Sequence, residues 1–113
     1  TRVAGVSYKN SDGTERQGIL RSLDPGDIAA LVREPDNPHG SDAIAVVDPH
    51  FGQLGYIPGH VAARLADQLD SGKTGFARIV EITGGTGDKP HYGCAVEVLL
   101  YDSETEIPDD LVN

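Results

Sequence analysis

Four flat rings, one guanidinium and one carboxamide are the groups in this chain best suited to holding a ligand. Tyr8, His39, Tyr56 and Tyr92 each offer a face on which an unpaired base can stack. Such stacking gives roughly 1–3 kcal/mol per base and requires no particular base sequence. Arg33 is the best candidate for a phosphate contact, because a guanidinium can give two parallel hydrogen bonds to one anion. Asn37, between Pro35 and Pro38, can both donate and accept. Each group also has an ordinary structural use. Tyr8 and Tyr56 can be core tyrosines with hydroxyls bonded at a rim. Asp36 and Asn37 are good turn formers whose side chains bond nearby amides, and Arg33 can pair with Glu34 or hold the loop that follows it.

Catalytic constellations are incomplete. His39, Ser41 and Asp42 lie close together in sequence, but nothing around them has the context of an activated nucleophile. His91 and Cys94 have a spacing that suits a metal, yet no second pair follows at a zinc-like distance. The run Gly84-Gly85-Thr86-Gly87 lacks the lysine and helix of a phosphate loop and reads as a hairpin turn. No metal site, cofactor or enzymatic activity is expected.

Charge works against a broad electrostatic nucleic-acid interface. The 113 residues carry nine bases and eighteen acids, a net charge of −9, and no lysine-rich or arginine-rich run supplies a basic footprint. Five of the acids fall in residues 102–110, so residues 1–101 hold nine bases against thirteen acids. Residues 102–113 are expected to be an acidic, solvated and disordered tail. The single cysteine, Cys94, excludes an internal disulfide and suits a reducing cytoplasm. No apolar run approaches the length of a membrane span.

The elements that must position these groups are short. With 14 glycines and 7 prolines, the chain favours turn-rich β architecture over a helical bundle. Strands are expected over residues 3–8, 28–33, 43–48, 53–57, 76–83 and 92–101. Thr14 is expected to cap a helix over residues 15–23. A second helix over residues 59–69 follows from Val61, Ala62, Leu65, Ala66 and Leu69, which share one face by steps of three and four. This is a mostly β chain with two short helices. It suits a small OB-like antiparallel β-barrel of about six strands with a helix across one end, although the same elements could make an open sheet.

Two passages carry a resemblance. Arg33-Glu34-Pro35-Asp36-Asn37-Pro38-His39-Gly40-Ser41-Asp42-Ala43-Ile44-Ala45-Val46 and Gln53-Leu54-Gly55-Tyr56-Ile57-Pro58 are similar in order and spacing to the HIRAN domain family. The opening Val3-Ala4-Gly5-Val6-Ser7-Tyr8 resembles that family's first strand, so the likeness covers residues 1–101 as one HIRAN-like domain of bacterial type. It implies an OB-like barrel that, in eukaryotic DNA-remodelling helicases, captures the 3′ end of single-stranded DNA. Tyr8 falls where the family places a stacking aromatic, and Tyr92 falls near a second. Asn37 keeps the polar residue of the loop, and His39 stands in place of a tyrosine. Gly40 replaces an aspartate that would accept from a terminal 3′ hydroxyl, and Asp42 replaces an asparagine. Ser7 and Gly59 stand where DNA-binding members carry basic side chains.

The resulting expectation is a non-catalytic nucleic-acid-binding module that recognises single-stranded DNA or a 3′ DNA end in DNA repair or processing. It would be cytoplasmic, away from any membrane, and appended to or working with a helicase or nuclease. Its site would comprise Tyr8, Arg33, Asn37, His39, Tyr56 and Tyr92. The alternative is a protein-interaction or regulatory module of a DNA-processing protein, its acidic surface facing a basic partner and binding no DNA itself.

Overall fold

In the computed structural model, which describes residues 1–102 and 106–112, the elements run α1 (Arg16–Arg21), β1 (Ile28–Arg33), β2 (Ile44–Asp48), β3 (Gly52–Tyr56), α2 (Gly59–Asp70), β4 (Thr74–Thr83), β5 (Gly93–Tyr101) and α3 (Asp109–Val112). The strands form one antiparallel sheet in the order β3-β2-β1-β4-β5. Alternation decides which side chains face inward: Ala29 and Leu31 on β1, and Ala77 and Ile79 on β4, are all buried. Leu20 of α1 and Ala62 of α2 join Ile44, Leu54, Ile79 and Cys94 in a single core cluster. Burying a Leu or Ile side chain contributes roughly 1.5–3 kcal/mol. Val80 is 54% exposed because it is the extra residue of a bulge: Ile79 pairs with Val96, and Glu81 with Ala95.

The sheet is open and has five strands, where a barrel of about six was expected. The strand expected over residues 3–8 is missing; residues 1–4 instead make two isolated bridges. Arg2 pairs with Ala95 at one sheet edge, and Ala4 with Tyr56 at the other. The Val3 amide donates to Cys94 O at 2.8 Å, and the Ala4 and Tyr56 amides donate to each other's carbonyls at 2.7 and 2.9 Å. One extended segment thus lies between β3 and β5 and partners both, with Val3 buried.

Two local expectations change. Thr14 does not cap α1; its amide and hydroxyl both donate to Asp12 Oδ1, at 2.9 and 2.6 Å. Glu15 occupies the cap position without a side-chain bond. A third helix, α3, is added within residues 102–113, and its Leu111 is buried. The tail expectation also covers residues 103–105 and 113, which lie outside the described residues.

The close approach of the N-terminal segment to β3 depends on Gly55. A Cβ there would collide with the Ala4 carbonyl oxygen and lie 2.8 Å from Val3 Cγ1. Gly55→Ala should therefore destabilise the protein by about 1–3 kcal/mol. Gly18→Ala, inside α1 where an added Cβ meets nothing within 4 Å, should stabilise it by about 0.5–1 kcal/mol. Chemical denaturation of both variants checks the two opposite signs.

Candidate functional site

Residues 5–16 turn the chain from the sheet edge into α1. Gly5 adopts φ +71, a left-handed conformation that glycine enters without a Cβ penalty. Its carbonyl accepts from Arg16 Nη1 at 2.8 Å, and Asn10 Oδ1 accepts from Arg16 Nε at 2.7 Å. Asn10 Nδ2 in turn donates to Gln53 O on β3 at 2.9 Å. Arg16 is left only 8% exposed, its guanidinium 5.4 Å from the centroid of the Tyr56 ring, within cation–π range. Tyr8, on the same turn, is 69% exposed.

The loop after β1 is held by its own polar residues. Glu34 Oε1 accepts from the Tyr56 hydroxyl at 2.7 Å and from Asn37 Nδ2 at 3.0 Å. Asn37 Oδ1 accepts from the His39 amide at 2.8 Å, an Asx turn that sets the loop's direction. Behind the loop, Arg33 Nε and Nη2 donate to the two carboxylate oxygens of Asp70 at 2.9 and 3.1 Å. Arg33 Nη1 donates to Ala43 O at 2.9 Å. The bond from Arg33 holds the Asp70 carboxyl below the usual carboxylate range, and the same bond raises the guanidinium's own pKa.

Between the two loops and the start of α2 lies a groove of about 900 Å³. Tyr8, Asn37, His39 and Tyr56 all line it, so four of the six residues singled out from sequence meet there. Arg33 lies instead on a neighbouring cavity of about 540 Å³, which Asn37 and Tyr56 share. Tyr92 is not part of the groove. It is half-buried and packed on the core, and its ring lies against Gly85, where an added Cβ would come within 2.6 Å of Cζ. Gln17 fixes the Tyr92 backbone by accepting from its amide at 2.7 Å and donating to its carbonyl at 3.0 Å.

Sequence reasoning missed Arg16 and Lys9, which also line the groove. Arg16 had one visible signal: it opens a helix, where a cation opposes the helix dipole and needs other contacts to hold it. His39, Ser41 and Asp42 border the groove as well. All three are exposed, and the geometry shows no hydrogen bond among their side chains. Cys94 is fully buried, and desolvation pushes its thiol up to about 11, which makes it a poor nucleophile. Among the described residues, no three His, Cys, Asp or Glu side chains gather as a metal site, and no helix is long and apolar enough to cross a membrane.

Comparison with known proteins gives a consistent picture. The family model described as HIRAN domain matches residues 1–101. A crystal structure of a protein from Lactobacillus plantarum is similar with a TM-score of 0.68 and 23% identity, covering 88% of each chain. The crystal structure of the HIRAN domain of human HLTF is similar with a TM-score of 0.57 and 18% identity, covering 84% of this chain and 70% of that one. At these identities the two structures speak for the fold alone. Among curated proteins, none matches the chain.

The Glu34–Asn37–Tyr56 network predicts a graded response. Tyr56→Phe removes one donor to Glu34 and should cost about 1 kcal/mol. Asn37→Ala removes the second donor and the bond to the His39 amide, and should cost more. Denaturation midpoints, together with faster amide exchange in residues 36–40, check that order.

Proposed function

The chain belongs to the HIRAN domain family, and from that premise we propose that it is a non-catalytic nucleic-acid-binding module. The proposed ligand is single-stranded DNA or a 3′ DNA end, held in the groove between the Tyr8 turn and the Glu34–His39 loop. One observation carries this reading: Tyr8 presents a 69% exposed ring to a groove that also holds the cations Lys9 and Arg16. A ring kept in water is available to stack on a base, and stacking tolerates any base. His39 adds a second flat surface across the groove. Tyr56 and Asn37 serve through the loop they brace. Arg33 retains one free N–H on each Nη for a phosphate beyond its bonds to Asp70 and Ala43. Tyr92 supports the turn near Gln17 rather than a base. Cytoplasmic DNA repair or processing, alongside a helicase or nuclease, is the setting proposed for such a module.

The net charge of −9 favours a second reading, a protein-interaction or regulatory module that meets a basic partner. Among the described residues, Lys9, Arg33, Lys73 and Arg78 are paired with carboxylates, which leaves little positive surface to attract a polyanion. The two readings part on one measurement. Fluorescence anisotropy with a short labelled single strand should show weak binding that falls with salt. Tyr8→Ala should weaken it by about tenfold, within the roughly 1–3 kcal/mol of a stacked base, with an unchanged thermal midpoint. Equal signals from strands with free and blocked 3′ hydroxyls would remove end recognition. No binding at low salt would overturn the DNA reading in favour of the second.

A further inference from the structure

Arginine is almost never this buried unless a carboxylate pairs with it, because an uncompensated charge out of water is costly. Arg16 is 8% exposed, and among the described residues its partners are neutral. Nε meets the Asn10 carboxamide, Nη1 meets the Gly5 carbonyl, and the guanidinium lies by the Tyr56 ring. Its position is tightly fixed, since a Cβ on Gly5 would lie 3.1 Å from Nη1. Nη2 has no partner in this arrangement, and Arg16 lines the groove. Glu15, its neighbour in sequence, lies 4.0 Å from Lys9.

We propose that Arg16 is the anion-binding residue of the groove, its free Nη2 edge receiving a backbone phosphate of the strand whose base lies on Tyr8. This deepens the nucleic-acid reading and rests on it. It explains how an acidic chain without a basic patch can hold a polyanion: one buried guanidinium, pre-oriented by neutral partners, takes the place of a diffuse positive surface. A largely buried, fixed cation interacts with a phosphate more strongly than a mobile surface lysine does.

The test is a salt titration of binding to a ten-nucleotide thymidine strand by wild type, Arg16→Lys and Arg16→Gln. Arg16→Gln should lose affinity by about tenfold, and its plot of log K against log salt should flatten by about 0.7, the value for one phosphate on a single strand. Arg16→Lys should keep the slope while binding more weakly. Because Arg16→Gln also loosens the Gly5 turn, a second arm uses the wild-type fold. Single phosphates of the strand are replaced one at a time by neutral methylphosphonates. One position should weaken wild-type binding and leave Arg16→Gln unaffected, as expected for a directly coupled pair. An unchanged slope in Arg16→Gln, or equal losses in both proteins at every position, overturns this inference alone. Wild type that binds no strand at low salt overturns the nucleic-acid reading and this inference together.

Discussion

Strands β3 and β5 end the sheet, and the backbone groups along their outer edges need partners. Residues Thr1–Ala4 supply some of them to both edges at once. Val3 and Val96 amides donate across to β5 and the N-terminal segment respectively, while Ala4 and Tyr56 exchange a pair of bonds on the other side. The Tyr8 and Arg16 wall of the groove is placed by this attachment. Because Ala4 is fixed to Tyr56, the turn at Gly5 begins beside the Tyr56 ring. Tyr8 is thereby carried to the groove, and Arg16 can return to meet the Gly5 carbonyl.

Opposite the turn, the loop after β1 is rigid for a different reason. Its residues bond mainly to one another and to the Tyr56 hydroxyl, with Arg33 and Asp70 joining its base to the end of α2. Sites held within a few tenths of an ångström need such supporting bonds. The two walls meet at Tyr56, whose hydroxyl braces the loop while its ring lies beneath Arg16. This one residue ties the polar network of the loop to the buried cation of the turn. The groove therefore combines an exposed aromatic ring with a largely buried cation, on a chain whose overall sign is negative.

Much of this architecture was legible in the sequence, and the parts that were not share a cause. The face of α2 announced itself because Val61, Ala62, Leu65, Ala66 and Leu69 repeat at helical spacing. The β2–β3 hairpin and the two long final strands also fell within a few residues of their expected ends. Residues 3–8 read as a strand, but Gly5 at φ +71 ends the extended run, and local pattern cannot reveal that one segment bridges two edges. Tyr92 and Tyr8 look alike in sequence, yet one packs on the core beside Gly85 and the other stands in solvent. Arg16 escaped notice since its importance arises from Gly5, Asn10 and Tyr56, which only tertiary folding brings around it. Family resemblance pointed to the loop; contacts across the fold decided which residues share a groove.

The central claim is that this groove, and no other surface, meets a single-stranded nucleic acid. Its most direct test is an amide chemical-shift titration of the labelled protein with a short unpaired DNA strand at low salt. The account predicts saturable shifts concentrated at Tyr8, Lys9, Arg16 and residues 39–43, with the outer sheet face around Val32, Arg78 and Glu97 undisturbed. Shifts confined to that outer face, or none at all, would contradict it.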